Sequence, residues 1–427
     1  MELTRKQIAD GISLSYLETD KFKTGFMSVN FIAPLDPSTA SKNALIPSIL
    51  TRGSVKYPTL ADINKRLDYL YASGISTRNE KRGEMQVFGI TAGMIDSAYT
   101  MGGENLVFEV TDMLFDILLC PKTSDGVFDS AYTESEKKNL IDSINAKINN
   151  KAQYASQRCI FEMCCDEPFG LLETGTVEDV SACTAKSIYD QYKYALKCYP
   201  IEIFFVGKCD IEAFAVKLSE IFASVPRSPI KLKPSKIIRK AEKIKHISED
   251  MPVNQGKLSI GLRTGCVLGE DDYYAMMMFN AVFGGGVTSK LFMNVREKMS
   301  LCYYCSSSPV VTKGIMIVNS GIEVSNREIA EKAIFDQLEA VKAGDFTDEE
   351  LEEYYANATY VDNYQYVESY GEHISYVLQN AEAMKNSEVL YADGSFSKEN
   401  IDKTSEDFNS LQGIKVSMGN DRWFEKV

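Results

Sequence analysis

The residue groups most able to do chemistry in this chain are a thiol pair, a glycine run and two histidines. Cys302 and Cys305 in "LCYYCSSS" have the spacing of a redox dithiol or of half a zinc site. No second Cys-x-x-Cys completes a zinc site, and no helical pattern follows to lower a thiol pKa. Residues three apart on a regular strand face opposite sides, so the expectation is two reduced thiols pointing apart. "GGGVTSK" (284–290) fails as a phosphate loop: that motif needs Gly-Lys-Ser/Thr in sequence, and here Thr288 and Ser289 precede Lys290. Its plain reading is a helix-ending turn, where glycine supplies the backbone freedom that C-caps require. His246 and His373 are the only histidines, 127 positions apart. Each reads as a surface or packing residue, which leaves little material for a histidine zinc site or a Ser-His-Asp triad.

The elements that must position these groups form two similar passages. The first runs from a strand, "GFMSVNFIAPL", through helices "ASKNALIPSILTRGS" and "TLADINKRLDYLYASG" to a strand, "GEMQVFGITAGMI". The second runs from "GKLSIGLRTGC" through "DDYYAMMMFNAVFGGG" and "SKLFMNVREKMSL" to "KGIMIVNSGIEV". Strands follow from period-two alternation, and helices from spacings such as Ile63, Leu67, Leu70 and Leu291, Val295, Met299. Helical stretches at 128–160 and 178–195, then 326–342 and 347–385, follow the two passages. Each half closes on a strand signal, "IEIFFVGKCD" and "IKVSMGND". The Pro- and Lys-rich 226–252 reads as the linker. The expectation is an α+β fold of two tandem homologous domains, 1–228 and 229–427, each a mainly antiparallel sheet flanked by helices.

Composition narrows the class. A chain of 427 residues exceeds one ordinary core. A net charge of −14 argues against nucleic acid or an anionic membrane as partner. The N-terminus has no apolar h-region and no long apolar run follows, so a cytoplasmic protein is expected. Ten scattered cysteines do not form a disulfide framework.

The stretch "FNAVFGGGVTSKLFMNVREKMSLCYYCSSS" (279–308) resembles the C-terminal domain of the pitrilysin/insulinase family of zinc metallopeptidases, which includes the mitochondrial processing peptidases. Those domains carry a helix, a glycine run, Ser-Arg-Leu-Phe, Arg-Glu-Lys and Leu-x-Tyr. The matching residues are Gly284, Gly285, Gly286, Ser289, Lys290, Leu291, Phe292, Arg296, Glu297, Lys298, Leu301 and Tyr303. On sequence alone, Arg296 and Tyr303 are a helix charge and a strand aromatic. The resemblance implies that they bind a scissile carbonyl and stabilise its oxyanion in the zinc site of the other half of a clamshell, beside a glycine loop that approaches peptide.

The family's His-x-x-Glu-His lies on a helix just before Gly-Thr or Gly-Ser, its imidazoles on zinc and its glutamate the general base. Anchored on Gly53-Ser54, those positions hold Ala44, Pro47 and Ser48. The distal glutamate aligns with Ser143, next to Asp142. None of the first three can replace an imidazole or a carboxylate, so no zinc or other cofactor is expected in this chain. The opening passages resemble the YmfF-like branch of bacterial homologues, found beside a zinc-bearing relative. The resemblance therefore implies the non-catalytic subunit of a heterodimer, with zinc in a paralogous partner, a peptide substrate and a link to elongation factor P modification. The alternative is a peptide-binding scaffold without proteolysis.

Overall fold

The computed structural model describes residues 3–270 and 272–347. The strand expected at 414–421, His373, and the helix expected at 347–385 beyond its first residue lie outside them. Contacts divide the chain into two units. One holds Met1–Asn145 and Leu171–Pro234; the other holds Ala146–Gly170 and resumes at Ser235.

The first unit starts with a hairpin, β1 (Leu3–Ala9) and β2 (Ile12–Glu18), turning at Gly11 with φ +64°. Then come β3 (Thr24–Pro34), α1 (Ala40–Leu50), α2 (Leu60–Tyr69), β4 (Gly74–Arg82) and β5 (Met85–Ile95). Helices α3 (Leu106–Leu119) and α4 (Ser130–Ala146) follow. After the excursion into the second unit, which carries α5 (Lys151–Met163), the chain returns with α6 (Ala185–Cys198), β6 (Ile201–Gly207) and α7 (Ile211–Phe222). Thr59 with Asp62, and Thr184 with Ser187, cap α2 and α6 reciprocally.

These strands form one sheet in the order β1-β2-β6-β3-β5-β4, antiparallel except where β2 meets β6. Alternation puts Val29 and Phe31 of β3 opposite Ile90 and Phe88 of β5 across the register. Phe31 and Phe88 stack at 5.3 Å, and the helices supply Leu45, Ile49, Leu114, Ile117 and Phe214 to the same core. Burial of such side chains is the main stabilising term, at about 1.5–3 kcal/mol each.

In the second unit β7 (Gly256–Arg263), β8 (Cys302–Val310) and β9 (Ile315–Ile322) form an antiparallel sheet ordered β8-β9-β7 among the described residues. Helix α8 (Tyr273–Asn280) leads into π-wound turns at Ala281–Gly285 and Leu291–Lys298, and α9 (Arg327–Lys342) follows the sheet. Leu262, Met316, Val318 and Cys305 on one sheet face pack with Phe283, Leu291, Val295 and Ile334. On the other face, Ile315 and Ile317 meet Cys164 and Phe169, with Cys159, Ile160 and Met163 of α5 packed against them.

The architecture is α+β, as expected, and the 128–160 stretch differs in detail. The 128–160 stretch is two helices, because Asn150 ends the 3-10 turn Lys147–Asn149 and caps α5 by accepting from Gln153 N at 3.2 Å. That break lets α5 serve the second unit. Glu167 follows it as a buried carboxylate bound by the guanidinium of Arg263 and, at 2.7 Å, by Lys313 Nζ. Residues 226–252 contain no helix or strand. Ser228 N and Ile230 N donate to Lys197 and Cys198 carbonyls at 2.8 Å.

Candidate functional site

In the first unit, the degenerate motif sits on α1. Helix α1 runs without a break from Ala40 to Leu50, with Pro47 inside it. A proline there removes one backbone donor, at a typical cost of about 3 kcal/mol. The helix end is fastened by other means: Thr51 N donates to Pro47 O at 3.1 Å, and Thr51 Oγ1 reaches Pro47 O and Ser48 O at 3.1 Å each. One turn earlier, Asn43 is held on both sides, donating to Gln86 Oε1 at 2.9 Å and accepting from Gln191 Nε2 at 2.8 Å. Gly53 is demanded by packing, since a Cβ there would lie 2.6 Å from Pro58 O.

Ala44 and Pro47 are buried, and Ser48 is half-buried. A methyl, a pyrrolidine ring and a hydroxyl are the groups that α1 offers where metal ligands would stand. Ser143 and Asp142 are exposed on α4. The buried carboxylate of α4 is Glu136, two helical turns before Ser143, and it faces Arg52 with Nε to Oε1 at 3.5 Å. Its only signal in the sequence is a glutamate seven positions before Ser143. The acid that α4 directs at the end of α1 is therefore already neutralised by a guanidinium. Among the described residues no three His, Cys, Asp or Glu side chains gather so as to hold a metal ion. The donor set does not fit zinc.

In the second unit, the glycine loop has three different positions. A Cβ on Gly284 would meet Ser307 Oγ at 2.5 Å and Ser307 N at 2.7 Å; on Gly285 it would meet Asn280 Nδ2 at 2.8 Å. Gly286 has extended backbone (φ −153°) and open space where a Cβ would go. Neither packing nor a turn requires glycine there. Ser289 is buried and structural: its Oγ donates to Gly286 O at 2.6 Å and accepts from Phe292 N at 3.4 Å, starting the next helical turn.

Arg296 and Tyr303 are brought together. Arg296 Nε donates to Tyr303 O at 2.9 Å, its guanidinium lies 4.4 Å from the Phe292 ring centroid, and Nη1 bonds Glu297 Oε1 at 2.7 Å. Ser300, in the left-handed region at φ 52°, turns the chain from the π-wound turn into β8. Tyr303 is 54% exposed, and its phenol has no hydrogen-bond partner among the described residues.

Tyr303 is also the extra residue of a β-bulge. Cys302 pairs with Ile322 and Tyr304 with Gly321, so two residues of β8 oppose one step of β9. The bulge overturns the expectation that Cys302 and Cys305 face apart. With Tyr303 skipped, Cys305 opposite Ser320 lies two ladder steps from Cys302, on the same face. Both pack toward the same core. A strand's alternation was the correct rule, but the insertion of one residue reverses its outcome. His246 is exposed.

Comparison with known proteins bears on this ligand-poor α1. Residues 182–357 match the family described as Peptidase M16 inactive domain. Over 341 residues, 80% of each chain, the sequence is 33% identical to a Bacillus subtilis (strain 168) protein named Probable inactive metalloprotease YmfF. The chain belongs to the M16, or pitrilysin/insulinase, metallopeptidase family. A conserved protein of Enterococcus faecalis V583 superposes with a TM-score of 0.78 at 27% identity, covering 94% of this chain and 92% of that one. The fold also matches a peptidase M16 inactive domain from Pseudomonas fluorescens, with a TM-score of 0.70 at 17% identity over 92% and 93% of the two chains. The chain is thus a homologue on the inactive side of M16, lacking the family's zinc motif. Among the described residues no helix is long and apolar enough to cross a membrane.

Proposed function

We propose that this chain is the non-catalytic subunit of a cytoplasmic two-chain metallopeptidase. In this reading its domains are 1–228, with the lost metal site, and 229–427, with the working surface. It lends Arg296, Tyr303 and the Gly284–Gly286 loop to a paralogous subunit that keeps His-x-x-Glu-His. The partner's zinc would supply the activated water. In this reading the pair serves modification of elongation factor P, as the branch resemblance implies.

The observation that carries the reading is the held Arg296 beside an exposed Tyr303. The bond to Tyr303 O and the Phe292 ring fix the guanidinium before any peptide arrives. Nη2 has no acceptor among the described residues and is free to donate to a peptide carbonyl. The Tyr303 phenol can donate to the oxyanion that develops on that carbonyl. A preorganised donor of this kind is worth about 10²–10³ in rate. Gly286, open on the side where a Cβ would stand, permits peptide backbone to approach closely.

Reconstitution tests the proposal. This chain and the zinc-bearing paralogue are purified separately and together, and cleavage of a peptide library is followed. Activity is expected only from the mixture. A paralogue that cleaves equally well alone would overturn the complementation reading and favour a peptide-binding scaffold.

A further inference from the structure

The bulge does more than display Tyr303. Three regular strand steps would separate the Cα atoms of Cys302 and Cys305 by about 10 Å, on opposite faces. Two ladder steps separate them by about 6.6 Å on one face, within the span of up to about 6.8 Å that a disulfide bridges. We propose that Cys302 and Cys305 are a reactive dithiol, which low-molecular-weight disulfides oxidise to an intrastrand disulfide spanning the Tyr303 bulge. This inference rests on the strand register and does not depend on the complementation reading.

The two thiols have different parts. Cys302 is half-buried and reachable, whereas Cys305 is 3% exposed. The Cys305 thiol donates to Cys302 sulfur and holds its pKa down to about 7; burial opposes this, and the nearby Arg296 charge assists. That same donated bond, together with burial, pushes Cys305 up. Burial likewise pushes up the thiols of Cys120, Cys159, Cys164, Cys183, Cys209 and Cys266. Cys302 is therefore the better nucleophile at neutral pH.

The chemistry balances with a small disulfide, RSSR, as oxidant. Cys302 thiolate attacks one sulfur, forming a protein–SR bond and releasing RS⁻. Cys305 then loses its proton and attacks Cys302 Sγ, forming the Cys302–Cys305 bond and releasing a second RS⁻. Two thiols are oxidised and one RSSR is reduced to two RSH. The bond encloses Tyr303, whose carbonyl holds Arg296 Nε, so oxidation acts on the Arg296–Tyr303 pair directly.

The test treats the reduced, full-length chain with oxidised glutathione at pH 7.5, then alkylates and maps peptides by mass spectrometry. The native chain is expected to give a Cys302–Cys305 disulfide. Cys305→Ser or Cys305→Ala is expected to trap glutathione on Cys302, and Cys302→Ser to leave Cys305 free. Circular dichroism reports whether each variant is folded, and the native arm needs no variant. The proposal is overturned if both thiols of the native chain stay alkylatable while another cysteine, such as exposed Cys165, takes the label. It is equally overturned if folded Cys302→Ser is oxidised at Cys305 as fast as the native protein.

Discussion

Arg296 reaches across seven residues to the backbone carbonyl of Tyr303, with Nε and O 2.9 Å apart. A helix side chain thus holds the bulge that presents an exposed tyrosine. The bond ties the orientation of the cation to the position of the phenol. Replacing Arg296 by lysine keeps the charge but loses the planar fork that bonds Tyr303 O while leaving a second donor available. In the reconstituted pair, Arg296→Lys is expected to lower kcat by at least about tenfold with little change in melting temperature. A variant equal to native in steady-state cleavage would show that the bond has no part in positioning.

The glycine loop separates packing from function. Gly284→Ala places a methyl against Ser307 and should cost about 1–3 kcal/mol, read as a lowered urea midpoint. Gly286→Ala meets nothing and should leave the midpoint within about 0.5 kcal/mol of native. It should weaken peptide cleavage by the pair. Equal midpoints for the two variants would contradict the assignment.

Glu167 anchors the segment after α5 to the second sheet. Burial favours its neutral form, but the bonds from Arg263 and Lys313 outweigh that and hold the pKa below the usual carboxylate range. Its contribution is present above the unfolded carboxylate pKa and lost as pH falls through the folded value. Glu167→Ala strands two buried cations and should destabilise by about 3–5 kcal/mol at pH 7. The difference from native should shrink under acid, measured by denaturant unfolding at successive pH values.

Glu202 on β6 behaves in the opposite sense. Burial lifts its pKa to about 7, against the pull of Arg5, whose Nη2 lies 2.8 Å from Oε1. Oε2 is buried with no hydrogen-bond partner. A raised pKa means stability that is full below the unfolded value and lost as pH rises through about 7. Glu202→Gln should be more stable than native at pH 8 by about 3 kcal/mol, and the advantage should vanish near pH 4.5. A pH-independent difference would refute this account.

The isolated chain should hold far less than one zinc per molecule after dialysis. Ala44, Pro47 and Ser48 offer no adequate donors, and Glu136 faces Arg52. Stoichiometric metal by atomic emission would overturn the reading of α1.

How much of this was legible in the sequence differs by element. Helix α2 and the strands β3, β5, β7 and β9 announced themselves by apolar period. The β1–β2 hairpin was signalled only by Asp10-Gly11 between short alternating runs. Strand β4, "GISTRNEKR", has hardly any apolar alternation, and among the described residues it pairs only with β5. The site residues were legible as types at a spacing, and the contact that joins Arg296 to Tyr303 was not. A bulge leaves no periodic trace: one inserted residue reverses the facing of Cys302 and Cys305. Glu136 was hidden because burial and pairing with Arg52 depend on how α4 meets the end of α1.

The central claim is that this chain contributes a proton donor to chemistry on a partner's metal. The most direct measurement is single-turnover cleavage by the reconstituted pair carrying Tyr303→Phe in this chain, which deletes one oxygen and leaves the ring. The account predicts that the cleavage rate falls by about 10²-fold while peptide affinity stays within a few-fold of native. An unchanged cleavage rate in a pair that assembles normally would contradict it.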